Sequence, residues 1–257
     1  MAKYKIGITE AGDAGIDLSW TKKLDAVDGA IVITKNMTNK FLDSAIEFKD
    51  KLIVHATLTG FGGSVLEPFV PYPHQEQGKI MELIQRGFPK EKIVIRIDPI
   101  IPSTKGCSKA LLIMKAFIKD GFSRFRVSVI DMYPHARDRF KRTGLPCPYG
   151  EGFAPSIPQL EAVDKIIAKA KEYHSELWGD SKPIRIESCA EPGLKEPIAC
   201  GCISDYDLAL LNLNADDSDG EYGFQRKNCL CYPGKTELLT RKRQCINGCL
   251  YCYWKDE

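Results

Sequence analysis

Over residues 3–212 the chain alternates between short apolar runs rich in Val and Ile and longer stretches with helical periodicity. The runs are "KYKIGIT" (3–9), "GAIVITK" (29–35), "KLIVHATLT" (51–59), "KIVIRIDP" (92–99), "RFRVSVIDM" (124–132) and "PIRIESC" (183–189). Several are continuous rather than alternating, the pattern of parallel strands buried on both faces. Between them the spacing predicts helices over 38–48, 74–87, 107–120, 157–176 and 204–212, the last opening on Ser204 as N-cap. Strand-then-helix order repeated about six times predicts an α/β fold, a partial (β/α)6 TIM-like barrel, with a doubly wound sheet as the alternative.

The periodicity stops near residue 213. "NADDSDGEYG" is acidic and turn-like, and the remainder has little room for regular structure. A division follows: a barrel over 1–212 and a Cys-rich tail over 213–257, packed on the barrel mouth. So short a segment buries little apolar surface alone and needs an outside stabiliser.

Composition changes this picture in one respect. With 44% apolar and 27% charged residues and a net charge of +2, the chain has ordinary globular composition and no global electrostatic partner. No apolar run approaches the ~18 residues of a spanning helix, and the first residues lack a secretory apolar core, so a cytoplasmic protein with no membrane partner is expected. The ten cysteines do not fit a plain reading in such a compartment. Seven of them lie from Cys200 onward: Cys200, Cys202, Cys229, Cys231, Cys245, Cys249 and Cys252. That density predicts metal or cluster ligation rather than bridges.

Two groups are distinguishable. Cys245-x3-Cys249-x2-Cys252 offers three thiolates to a [4Fe–4S] cluster, leaving one iron open; Gly248 turns the backbone and Tyr251 covers one side. The two C-x-C pairs, Cys200/Cys202 and Cys229/Cys231, supply four thiolates, enough for a second Fe–S cluster or a structural Zn²⁺. One of these four could instead complete the tail cluster.

The proposed strand ends carry the other candidate groups, as expected where function sits on loops at carboxyl ends. Arg96, Asp98, Asp131, Glu187 and Glu191 are charged residues in or beside apolar strands, either paired inside the barrel or catalytic. The glycines of "TLTGFGGSVLEP", Gly60, Gly62 and Gly63, let backbone amides approach a ligand, or simply make a turn. His55 is read as a core histidine, and Cys189 as a buried small residue or a hydrogen-atom donor. Arg137, Arg139, Lys141 and Arg142, with Arg241, Lys242 and Arg243 just before the tail motif, form a cationic rim for phosphate or a solvated basic helix. Tyr133, Phe140, Tyr251, Tyr253 and Trp254 are candidates to stack on bases beside them.

The C-x3-C-x2-C spacing with an aromatic before the third cysteine resembles the cluster motif of the radical SAM superfamily, and "CLYCY" is similar to the wording in spore photoproduct lyases. The resemblance implies a partial barrel, S-adenosylmethionine bound at the open iron near Gly60, Gly62 and Gly63, radical chemistry on a nucleic acid or nucleotide, and a flavodoxin or ferredoxin as reductant. The alternative is a non-radical Fe–S or zinc nucleic-acid-binding protein with structural metal centres. That superfamily carries the motif after the first strand, whereas here it ends the chain and the first loop, "TEAGDAG", has no cysteine. A circular permutation, or a tail folded over the mouth, would restore the geometry. The whole chain also resembles an uncharacterised bacterial family of unknown function. The shared wording is "TKN" (34–36), "TLTGFGG…EP" (57–68), "RIDPII" (96–101), "DMYPHARDRF" (131–140), "ESCAE" (187–191), "CGCI" (200–203) and "CINGCLYCYW" (245–254).

Overall fold

The computed structural model describes residues 4–179, 182–214, 230–232, 234–240 and 245–255. Cys229, Arg241, Lys242 and Arg243 lie outside the described residues. The fold is a mixed α/β structure around one curled, eight-stranded, all-parallel sheet in the form of a half-barrel.

Six strands coincide with the six apolar runs: β1 (Ile6–Ile8), β2 (Gly29–Thr34), β3 (Leu52–Thr57), β4 (Ile93–Ile100), β5 (Arg124–Val129) and β6 (Arg185–Cys189). Two more, β7 (Ile198–Cys200) and β8 (Lys235–Glu237), were not expected. Each has three residues and no apolar run, so only its ladder bonds reveal it. The order is β7-β6-β5-β4-β3-β2-β1-β8, with β7 and β8 as the two edges. β8, drawn from the Cys-rich segment, pairs with β1 through Ile6↔Lys235, Gly7↔Thr236 and Ile8↔Glu237. The segment therefore belongs to the sheet as well as lying on it.

Helices α1 (Asn39–Glu47), α2 (Pro73–Gln85), α3 (Thr104–Lys119), α4 (Pro134–Arg142), α5 (Ile157–Trp178) and α6 (Asp205–Leu210) connect the strands, and a 3-10 segment, Leu18–Ala26, follows β1. Side chains alternate between sheet faces. Val32, Val54, Ile95, Phe125 and Val127 share one core with Phe41, Ile80, Met114, Phe117 and Ile167 of the helices. On the opposite face Ile6, Ile8, Ile31, Ile53 and Val94 form a smaller apolar floor with Leu208 and Leu211 at α6. Further along the same strands this face becomes polar, with His55 on β3, Arg96 on β4, Arg126 on β5 and Glu187 on β6. Register sets Arg96 beside Arg126 and Arg126 beside Glu187. Among the described residues no helix is long and apolar enough to cross a membrane.

Candidate functional site

Residues 245–255 run across the carboxyl ends of the strands, held by bonds from the segments that follow β1, β3 and β5. After β1, the Asp13 carboxylate accepts from Thr34 Oγ1 (2.6 Å), the amides of Gly15 and Lys35 (both 2.9 Å) and Asn247 Nδ2 (2.7 Å). Asn247 is buried and ties the cysteine loop to β1 and β2 together. After β3, Phe69 N donates to Asn247 O (3.3 Å), while Leu250 N donates to Leu66 O (3.0 Å). After β5, the α4 residue Arg139 donates to Cys252 O (2.6 Å) and Leu250 O (3.4 Å) and to Trp254 O. His135 Nε2 contacts Tyr253 O (2.7 Å), and Tyr253 Oη donates to Glu10 O (2.6 Å).

The Tyr251 phenol reaches inward to hydrogen-bond the Glu67 carboxylate. Glu67, 1% exposed, also accepts from Thr59 Oγ1 (2.6 Å) and Lys35 Nζ (3.1 Å). Burial pulls the Lys35 ammonium towards neutrality, but Glu67, Cys249 and Asp98 outweigh it and its pKa ends raised. Burial pushes the Cys249 thiol up to about 12, against the pull of Lys35. A buried neutral thiol beside an ammonium is poised to ionise once a cation binds it. Gly248, at φ +64°, turns the chain between Asn247 and Cys249, and Cys252 N donates to Cys249 O (3.1 Å).

The glycine-rich loop lies directly beneath this segment. Gly60 (φ +83°) and Gly63 (φ +74°) make the turns, and a Cβ at Gly62 would stand 2.0 Å from Pro71 O. Gly60 O accepts from Lys109 Nζ (2.6 Å), and Gly63 N donates to Glu67 O (3.0 Å). The loop thus needs its glycines to fold back on itself, and in doing so it presents Leu66 and Phe69 to the cysteine loop.

A second thiol group sits at the carboxyl ends of β6 and β7. Cys189 on β6 and Cys200 on β7 are register partners. Cys189 Sγ is 3.4 Å from Cys202 Sγ, and Cys202 N donates to Cys231 Sγ (2.9 Å). All four are buried. Burial raises the Cys200 thiol to about 12. No disulfide joins these cysteines, and among the described residues no three His, Cys, Asp or Glu side chains already hold a metal-site geometry. The donor chemistry of both groups is nonetheless thiol-rich and suits soft metals or Fe–S clusters.

The remaining charged candidates divide by depth. Glu187 is fully buried and bonded to Arg126 Nη2 (2.7 Å) and Arg185 Nε (2.6 Å). Arg126 also donates to Asp207 (3.3 Å) and to Cys202 O (2.7 Å), and Arg124 pairs with Asp207. Burial would raise Asp207, but the two guanidiniums overcome it and hold its pKa well below the carboxylate range. Glu187 and Asp207 therefore anchor α6 inside the half-barrel. Arg96 binds Asp98 (Nε–Oδ2 2.7 Å), which also accepts from Ser128, and this pair lies higher, beside Lys35. Glu191 accepts from Val129 N (2.9 Å); Asp131 is partly buried just past β5. His55 is fully buried with both ring nitrogens unbonded, and burial together with Arg126 keeps it neutral.

Of the basic rim, Arg139 is buried and turned to the tail carbonyls rather than to solvent. Arg137 donates to Glu151 O (2.7 Å) and Gly152 O (2.9 Å), and Lys141 pairs with Glu151 Oε1 (3.2 Å). Arg142 is exposed. Spacing singled out Tyr251 and the cysteines but missed Asp13, Lys35, Glu67 and Asn247. The signal was there in "TKN" and "VLEP", where single charges interrupt short loops.

A search among curated proteins finds none that matches. Residues 18–254 match the family described as "Domain of unknown function (DUF1848)", and the chain belongs to that family.

Proposed function

We propose that the chain is an iron–sulfur enzyme of radical SAM type acting on a nucleotide or nucleic acid. The observation that carries this reading is the setting of Cys245, Cys249 and Cys252. They follow β8, an edge strand of a parallel half-barrel, and lie across carboxyl strand ends against the glycine-rich loop. A motif after an edge strand is the order the superfamily resemblance requires, reached here with the chain's last strand in place of its first.

A [4Fe–4S] cluster held by the three thiolates would supply one-electron reduction of S-adenosylmethionine. The chain's own residues prepare the place. Lys35 sets a positive charge beside the Cys249 sulfur. Tyr251, fixed by Glu67, shields that side from water. Arg139 and Asn247 fix the loop's backbone so the sulfurs keep their spacing. Gly60, Gly62 and Gly63 let the adjoining loop fold close on Lys109, Pro71 and Tyr72, and so hold Leu66 and Phe69 against the cysteine loop. Arg96 and Asp98 lie below, and Lys141, Arg142, Tyr253 and Trp254 border the rim, the charges and rings that suit a phosphate-bearing substrate.

The test is anaerobic purification followed by dithionite reduction with S-adenosylmethionine. The expected product is 5′-deoxyadenosine, absent in Cys249→Ala. An iron-loaded, folded protein that yields none overturns the radical reading. A colourless zinc protein that binds nucleic acid favours the structural alternative.

A further inference from the structure

We propose a metal centre at the β6–β7 edge whose ligands are Cys189, Cys200, Cys202 and Cys231, four buried thiols gathered together but not preset in metal-site geometry. The set differs from the one that C-x-C spacing suggests, because Cys189, 11 residues before Cys200 in the chain, enters through the sheet. Parallel register puts Cys189 and Cys200 side by side on one face. The chain then turns at Gly201 and returns Cys202 to 3.4 Å from the Cys189 sulfur. Residues 230–232 close the group from across, with Cys231 Sγ accepting the Cys202 amide at 2.9 Å.

Three features mark a built site rather than chance proximity. A Cβ at Gly201 would lie 2.6 Å from both Cα and N of Cys231, so the close approach of these two segments depends on a glycine there. Arg126 Nη1 caps Cys202 O, fixing the turn from inside the half-barrel. Lys235 on β8, paired with Glu10 (2.6 Å), stands beside Cys202 and Cys231, and the Glu10 carboxylate stands beside Cys202. Four thiolates suit tetrahedral Zn²⁺ or an all-cysteine Fe–S cluster. The site is separate from Cys245, Cys249 and Cys252 and stands whether or not those hold iron.

Metal and acid-labile sulfide are measured per chain in anaerobically purified wild type, Cys189→Ser, Cys229→Ser and Cys249→Ala, each checked for folding by circular dichroism. Cys189→Ser should lose one full centre: one zinc, or about four irons for a [4Fe–4S] cluster. Cys249→Ala should keep that centre, and so should Cys229→Ser. Retention in Cys189→Ser with loss in Cys229→Ser overturns the assignment. So does a wild type whose whole metal content disappears in Cys249→Ala, an outcome that leaves the tail reading intact. Should Cys189→Ser not fold, native top-down mass spectrometry of the wild-type holoprotein decides. Metal retained on fragments that lack Cys189 but include residues 200–231 overturns the assignment, and metal kept only on fragments containing Cys189 supports it.

Discussion

The two thiol groups both lie at carboxyl strand ends of one sheet and are held by different physics. The tail group is a local motif on a loop, placed by side-chain caps: Asn247 on Asp13, Tyr251 on Glu67, Arg139 on three carbonyls. The β6–β7 group is non-local, placed by strand register and by a buried ion network centred on Arg126. A loop held by caps can open without unfolding the sheet, whereas a group held by register cannot. The tail group is therefore the one free to move on its own, and the β6–β7 group moves only with the sheet.

The largest break in that comparison is Arg126→Met. It leaves Glu187 and Asp207 with one fewer guanidinium in a fully buried setting, which should cost about 3–5 kcal/mol of global stability. Urea denaturation would read it as a lower midpoint, with any metal at the β6–β7 group lost ahead of any in the tail. On the tail side, Lys141→Met removes an exposed pair with Glu151 and should leave the same midpoint nearly unchanged.

Acidity separates the regions next. Burial raises Glu76 to about 7, and Asp13, the partner of Asn247, is raised by burial too. A carboxyl whose folded pKa exceeds its unfolded one binds more protons in the folded state. Its contribution is complete below the unfolded value and is lost as pH rises through the folded value. For Glu76 that window runs from 4.5 to about 7 and is worth about 3 kcal/mol. Asp207 has the opposite sign, contributing above its unfolded value and losing that contribution as pH falls. The urea midpoint should therefore decline from pH 5 to pH 7.5, and Glu76→Gln should flatten the decline. An unchanged slope in that variant would mean that Glu76 stays ionised in the fold.

The two regions were also unequally legible in the sequence. Six strands announced themselves because burial on both faces demands continuous Val and Ile. "IAC" and "KTE" did not, since edge strands of three residues are defined by their partner's backbone. Helix α4 was legible over 135–144 only as a solvated basic helix, because its charges masked the inward positions Ala136, Arg139 and Phe140. The tail cysteines were legible as ligand candidates by spacing alone. Cys189 was not, because its contact with Cys202 depends on β6 and β7 being neighbours. The alternation Arg185, Glu187, Cys189 was the available sign that this cysteine faces the polar side.

Arg139→Ala sharpens the contrast at smaller scale. Tail carbonyls at residues 250, 252 and 254 lose their donor, and docking of the segment should weaken by about 2 kcal/mol. Hydrogen exchange should quicken at residues 249–254 while β4 and β5 stay protected. Lys at this position should restore little, because one ammonium does not reproduce the guanidinium fork. Equal acceleration in the strands would show that the tail and the sheet open together.

The finest distinction lies between two glycines, one in each region. Gly201→Ala should cost about 2 kcal/mol, because its Cβ meets backbone at 2.6 Å and packed backbone does not give way cheaply. Gly248→Ala should cost about 1 kcal/mol, for a different reason: its φ is +64°, and its Cβ would lie only 3.1 Å from ring carbons of Pro68 and Phe69, an exposed pair that can shift. Asparagine tells the two apart, since it tolerates left-handed backbone but brings more bulk than alanine. Gly248→Asn should recover part of the alanine loss in thermal melts, and Gly201→Asn should deepen it. Recovery at both positions would mean that conformation, not contact, governs Gly201, and the register-held group would then be no more rigid than the loop.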